Sequence, residues 1–417
     1  MNRRPDDIVC FELGSDQPPW VGTVGLLGPD RDAILRLAHD RLIEFDLKGK
    51  EAHISGVDRV GLVLLPSGRR LVIRSKIESL VLLEWLAYLD KFPPLEVWLA
   101  DVGVTTGVDL HTCIARIFLY ELQRLTRLCV RKDYMPVVAH ESTIRGRILT
   151  KQLYRRLNRL PRVPQWHRSR TFDTPYNIVL ALALDKLPLL LASASQVDRT
   201  LLARLRDLWA HVRRDIADPV SAVTESQWAC PSGYRAALQL ARLILIGAAL
   251  DPDSGVGGQS FTLNLSSVWE RSLKRMMEEI NSETGWTSAP RSALTRQWDD
   301  SSGRNDSTRR LTADMMVRSD ERCWVLDAKY KRAFGNESRE DLFQMCAYAV
   351  AFDANYVSLV YPLARSGYQR RTLLEAVVGL KTITIDSINL PMCLGPESCK
   401  KSLIEMCRAR QLDPAGV

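Results

Sequence analysis

Two neighbouring stretches, Leu311-Thr-Ala-Asp-Met-Met-Val-Arg318 and Cys323-Trp-Val-Leu-Asp-Ala-Lys-Tyr-Lys331, decide how this 417-residue chain is read. Each reads as a β-strand, and Ser319-Asp320-Glu321 joins them. Side chains alternate along a strand, so Asp314 faces away from Ala313 and Met315. Asp327 and Lys329 share a face with Cys323 and Val325, while Trp324, Leu326 and Ala328 fill the other. A charged pair is thus set into an apolar strand, which is costly unless the charges pair or bind a metal. A tight hairpin would bring Asp314 beside them. Two converging carboxylates make a hard oxygen site suited to Mg²⁺, which polarises a phosphate and activates water. Lys329 would hold that water or meet charge developing on the phosphate. The alternative is an ordinary Asp327–Lys329 ion pair.

The acid-x-Lys spacing alone means little. With 49 acidic residues in 417 and 13 lysines, chance predicts roughly 1.5 matches, and two occur. The other is Asp46-Leu47-Lys48, before Gly49 at a strand end. Context favours the second. A helix over 267–281 carries Glu270 near its start, a third carboxylate and candidate metal ligand. A helix over 339–352 puts Gln344 and Tyr348 on one face at i, i+4. Gln344 would point at the site or at DNA; otherwise Gln344 is exposed and Tyr348 belongs to the core. A strand over 356–361 completes the order α, β, β, α, β.

Outward from this block the chain reads as mixed α/β. Residues 1–110 form a β-rich domain. Val60–Leu65 and Leu71–Ile77 flank a turn holding Pro66 and Gly68, a hairpin signal, and a helix spans 80–89. Residues 111–255 read as mainly helical. Cys113–Cys129 has a 3.6-residue apolar period, and Thr174-Pro175 caps a helix towards Leu187. Further helices cover 201–216 and 234–250. Asp251 to Ser260 reads as a linker, and residues 256–417 form the third domain.

Charge is uneven. Lys+Arg 57 against Asp+Glu 49 leaves +8. Between Glu141 and Asp173 there is no acid, but there are nine cations: Arg145, Arg147, Lys151, Arg155, Arg156, Arg159, Arg162, Arg168 and Arg170. Such a segment neutralises phosphates, and Tyr154 and Trp166 within it would stack on unpaired bases. A solvated helical face or a contact with an acidic protein are the alternatives. No apolar stretch reaches the ~20 residues of a membrane span, and no secretory signal opens the chain. A cytoplasmic protein with free, buried or half-buried thiols is expected. There is no phosphate-binding Gly-x-x-x-x-Gly-Lys-Ser/Thr run, so the chain is not expected to be a P-loop NTPase itself.

The helix Glu, the Asp, the Asp-x-Lys and the Gln-x-x-x-Tyr, in that order, resemble the PD-(D/E)XK nuclease superfamily. Four stretches resemble the McrC family, nuclease subunits of the McrBC modification-dependent restriction system. They are Leu64–Ile77, Ile144-Arg-Gly-Arg-Ile148, Phe172-Asp-Thr-Pro-Tyr-Asn177 and Val325-Leu-Asp-Ala-Lys-Tyr-Lys331. The resemblance implies a C-terminal nuclease domain with a central mixed sheet flanked by helices, cutting DNA with Mg²⁺. It implies Asp314 and Asp327 as metal ligands, Lys329 as the catalytic lysine and Glu270 as an accessory acid, with Gln344 and Tyr348 completing the site. It also implies a partner, an McrB-like AAA+ GTPase hexamer that recognises modified cytosine in double-stranded DNA and docks the amino-terminal region. Ala313 stands where the family usually has Pro, a backbone-shaping position that supplies no ligand. A repair-type nuclease of the same fold, and a non-cleaving subunit that activates an AAA+ ring, are the competing readings.

Overall fold

The computed structural model describes residues 7–13, 18–23, 28, 30–90, 107–128, 130–154, 162–192, 194–214, 230–249, 260–289, 294–296, 309–319, 322–331, 334–378 and 381–411. The chain divides into two compact units. The first joins Met1–Val97 and Thr105–Leu110 to Thr262–Val417, and the second holds Trp98–Val104 and His111–Phe261. The linker proposed over 251–260 lies outside the described residues except for Ser260.

The amino-terminal part of the first unit contains β1 (Ile8–Phe11), β2 (Trp20–Thr23), α1 (Arg31–His39), β3 (Ile43–Lys48), β4 (Glu51–Gly56), β5 (Arg59–Leu64), β6 (Arg70–Arg74) and α2 (Ser79–Asp90). The hairpin read from the sequence is present: β5 and β6 pair antiparallel, with Leu62 opposite Val72. Gly68 takes φ +84°, in the left-handed region that glycine enters without a Cβ penalty. The buried Asp30 carboxylate accepts from Ser67 N at 2.9 Å and Ser67 Oγ at 2.7 Å, tying the turn down. Asp46-Leu47-Lys48 lies in β3, and its two charges meet at 4.0 Å on the open surface. This acid-x-Lys match is the bland ion pair.

The second unit contains α3 (Leu110–Arg127), β7 (Asp133–Glu141), β8 (Arg147–Ile148), α4 (Thr150–Tyr154), β9 (Val163–Thr171), α5 (Pro175–Leu190), α6 (Gln196–Leu208) and α7 (Arg235–Ala249). Thr174 caps α5 as expected, its side chain accepting from Asn177 N at 3.3 Å. Among these helices β7, β9 and β8 form an antiparallel sheet. Their strands alternate buried and exposed residues, but the outward positions mix Tyr134, Val138 and Trp166 with Arg168 and Arg170, and the inward ones include Gln165 and His167. α6 also starts earlier and ends earlier than the reading over 201–216, because Ser195 caps Asp198 N at 3.2 Å.

The chain then returns to the first unit with β10 (Ser260–Asn264), α8 (Leu265–Thr284), β11 (Thr287–Ser288), β12 (Leu294–Arg296), β13 (Arg309–Leu311), β14 (Met315–Ser319), β15 (Arg322–Ala328), α9 (Arg339–Ala351), β16 (Tyr356–Tyr361), β17 (Gln369–Val378), β18 (Lys381–Asn389) and α10 (Pro396–Gln411). A mixed six-stranded sheet runs β11-β14-β15-β16-β18-β17. On one face α9 packs Met345, Tyr348 and Ala349 against Met316, Val325, Val357 and Leu359. On the other, Trp269 of α8 donates to Val360 O at 3.0 Å, and Trp286 meets Trp324 edge-on at 5.3 Å. Trp85 of α2 donates to Met392 O at 2.9 Å, one reason the amino-terminal part and this sheet form one unit. The strand expected over 311–318 is broken. β13 pairs with β12, and β14 begins only at Met315. At Thr312–Asp314 side chains replace the ladder, since Tyr348 Oη donates to Thr312 O and Asp314 accepts from Ala328 N, both at 2.9 Å. Among the described residues no helix is long and apolar enough to cross a membrane. The eight described cysteines are free and buried or half-buried.

Candidate active site

Two strands set the corner. β14 and β15 pair with Met315 opposite Leu326, so Asp314, one step before, falls opposite Asp327. Residues directly opposite in an antiparallel pair share a face. The carboxylates therefore stand on the side that α9 covers, where Met316 and Val325 fill the core. Lys329 follows on the same side. Its Nζ lies 2.7 Å from Asp327 Oδ2 and donates to Gln344 Oε1 at 3.0 Å. Gln344 Nε2 donates to Tyr348 Oη at 2.9 Å, and Tyr348 Oη to Thr312 O. Gln344 and Tyr348 are thus one relay that fixes the lysine, with Tyr348 also a core residue. Five of the expected side chains, Asp314, Asp327, Lys329, Gln344 and Tyr348, meet at this corner.

Asp327 is 2% exposed. Burial pushes its carboxyl from the ordinary 3.8 up to about 6, against the pull of Lys329 and helped by the neighbouring Asp314 and Asp341 carboxylates. A raised acid pKa means that the folded state holds its proton more tightly. The contribution to stability is full below pH 3.8 and is lost as pH rises through about 6. Without metal, the chain should lose roughly 3 kcal/mol across this window from Asp327. Urea unfolding in EDTA at successive pH values, compared with Asp327→Asn, measures it. Identical pH profiles for the two proteins would refute the shift.

Two members escaped the sequence reading. Asp341, in the first turn of α9, forms a close ion pair with Lys331 and stands 3.9 Å from Lys329 Nζ. Burial would raise its carboxyl, but hydrogen bonds from Lys331 and Ser338 and the two ammonium charges hold it below the ordinary value. Its signal was present: Ser338 caps the helix at Asp341 N, three residues on, and Lys331 repeats Lys329 at strand spacing.

Glu270 sits half-buried on α8. Among the described residues no three His, Cys, Asp or Glu side chains gather to hold a metal. Glu270 is therefore not assembled with Asp314 and Asp327 into a three-acid set.

Four of the described cations in the basic segment are divided between a sheet and a short helix. Arg147 lies on β8, Lys151 on the short α4, and Arg168 and Arg170 on β9. Arg155, Arg156 and Arg159 lie outside the described residues. Register sets Arg170 opposite Tyr134, and Trp166 opposite both Val138 and Arg147. Tyr134, Trp166, Arg168 and Arg170 are all exposed on one face. Buried Gln165 builds the Ile144–Ile148 loop: its Oε1 accepts from Arg145 N at 2.6 Å and Gly146 N at 3.1 Å. A Cβ at Gly146 would lie 2.3 Å from Trp166 O, so this approach requires glycine. Arg145 reaches Glu141 at 3.8 Å. An open cavity of about 870 Å³ in this unit is lined by Arg131, Lys132, Tyr134 and Arg170 among others.

A chain of the refined half-complex from the tetradecameric assembly of Thermococcus gammatolerans McrB AAA+ hexamers with bound McrC has a TM-score of 0.61 and 14% identity, covering 96% of this chain and 100% of that one. At that identity the match speaks for the fold. A chain of the cryo-EM structure of the Thermococcus gammatolerans McrBC complex reaches 0.42 at 14% identity, over 66% of this chain and 87% of that one. No curated protein matches. The family model for the McrBC 5-methylcytosine restriction system component matches residues 56–362, and the chain belongs to that family.

Proposed function

We propose that the chain is the DNA-cleaving subunit of its restriction system, a Mg²⁺-dependent phosphodiesterase of PD-(D/E)XK type. It would act in the cytoplasm with an McrB-like AAA+ GTPase hexamer on double-stranded DNA carrying modified cytosine. One observation carries the reading: the Asp314 carboxylate accepts from Ala328 N, next to Asp327, beside a lysine that Gln344 holds. The donor set fits Mg²⁺. Asp327 Oδ2 is buried, with the Lys329 ammonium 2.7 Å away as its counter-charge. Two carboxylates leave room for the water and phosphate ligands that Mg²⁺ favours. Asp314 and Asp327 would hold the ion, which supplies Lewis acidity toward the scissile phosphate. Lys329 keeps its ammonium at the corner to orient the attacking water or meet developing charge. Gln344 and Tyr348 limit where that ammonium can go, and Asp341 holds Lys331 beside it. The direct trial is incubation with an AAA+ partner, GTP, Mg²⁺ and plasmid carrying 5-methylcytosine. Double-strand cleavage is expected. Stimulated GTP hydrolysis with intact plasmid would favour the non-cleaving reading.

The DNA contacts in this proposal lie on the exposed β7-β9-β8 face, where arginines alternate with Tyr134 and Trp166. Arg168→Ala with Arg170→Ala should weaken binding similarly across sequences and reduce the logarithmic salt slope by about 1 to 2. Fluorescence anisotropy between low and moderate salt reads this. An unchanged slope with lost GTPase stimulation would assign the face to a protein contact.

A further inference from the structure

The stretch Leu64–Ile77 ends in Ser75-Lys76, to which the proposed chemistry gives no task. Both residues close on Tyr330, which separates Lys329 from Lys331. Glu12, just after β1, is 2% exposed. Its Oε2 accepts from Ser75 Oγ and Lys76 N at 3.1 Å each, and from Tyr330 Oη at 3.3 Å. Lys76 Nζ stands 4.2 Å from the Tyr330 ring centroid. Hydroxyl and ring are thus gripped separately, by an acceptor and by a cation over the π face. All four residues belong to the first unit.

We propose that Glu12 and Tyr330 are positioning residues for Lys329, so that the amino-terminal sheet sets the geometry of the catalytic corner. The inference rests on the reading of that corner as catalytic. In extended chain, neighbouring side chains leave on opposite sides. Tyr330 is therefore anchored in one direction while Lys329 reaches Asp327 and Gln344 in the other. The β15 ladder ends at Ala328, and beyond it Lys329 N still donates to Val360 O at 2.9 Å. Past that bond the Tyr330 anchor fixes the backbone. A slip there moves the lysine ammonium, and misplacement on the order of 1 Å can cost a catalyst about 10²-fold. Any load that a docked partner places on β1 or β6 reaches the corner through Glu12 and Ser75-Lys76.

The test uses the full chain with its AAA+ partner and two near-isosteric variants, Tyr330→Phe and Glu12→Gln. Tyr330→Phe keeps the ring and its cation and removes only the hydroxyl. Single-turnover cleavage gives the rate, and KM for DNA is measured separately. Acylation by an amine-reactive ester, read by mass spectrometry, reports how tightly Lys329 is held, with exposed Lys50 as reference. The rate should fall about tenfold with KM unchanged. Lys329 acylation should rise about threefold relative to Lys50. Wild-type rate with wild-type Lys329 acylation in both variants would overturn the proposal. If Tyr330→Phe does not fold, Glu12→Gln decides. If Asp327→Asn cleaves like the wild type, the catalytic reading falls, while Lys329 acylation still decides the coupling.

Discussion

Asp327→Asn should reduce DNA cleavage by at least about 10³-fold, equivalent to ~4 kcal/mol of transition-state stabilisation, without unfolding the chain. The two halves of this expectation have one cause. Asp327 is the most deeply buried of the corner carboxylates, with Asp314 and Asp341 near it and Lys329 as its counter-charge. The arrangement is unfavourable for an anion and favourable for an anion that receives a divalent cation. The amide keeps size and shape and removes the charge, so the metal-free protein should be as stable as the wild type, or more so, above pH 6. Plasmid cleavage with GTP and Mg²⁺, beside thermal melts in EDTA, reads both. Undiminished cleavage, or loss of cleavage accompanied by unfolding, would contradict the assignment.

The second large effect lies on the opposite face of the sheet. Arg410 of α10 is fully buried and forms a close ion pair with fully buried Asp386 of β18. Arg370 Nε donates to the same Asp386 Oδ2 at 2.7 Å, and Ser358 Oγ bonds Oδ1 closely. The Arg410 guanidinium lies 4.3 Å over the Tyr356 ring and 5.5 Å from that of Trp324. Arg410→Ala opens a cavity and leaves a buried carboxylate short of its main counter-charge, so it should cost about 3–5 kcal/mol. Asp386→Asn combined with Arg410→Met removes both charges at nearly constant volume and should recover most of that loss. Urea unfolding of the three proteins measures it. A loss below about 1 kcal/mol for Arg410→Ala would mean that the pair carries little of the docking of α10.

What the sequence made legible was local. The β5–β6 hairpin follows from two β-branched runs and Gly68, and the cap of α5 from Thr174-Pro175. The shared face of Asp327 and Lys329 follows from strand alternation, and that of Gln344 and Tyr348 from helical spacing. What it concealed was either non-local or disguised by polarity. Glu12 and Tyr330 are 318 residues apart, and Asp386 and Arg410 are 24 apart in different elements. No periodicity reports such pairs. β9 was hidden because its inward positions include Gln165 and His167. Asp314 reads as part of a continuous strand, whereas its carboxylate takes the place of the ladder by accepting from Ala328 N next to Asp327. Asp341 lies three residues past the Ser338 cap, and its task beside Lys331 and Lys329 depends on a contact across the fold.

The most direct measurement is the anomalous scattering of Mn²⁺, standing in for Mg²⁺, in crystals of the wild type and of Asp314→Asn with Asp327→Asn. The account predicts one strong peak between the carboxylates of residues 314 and 327 in the wild type, absent from the variant. No peak at that corner, or an equal peak in both proteins, would contradict it.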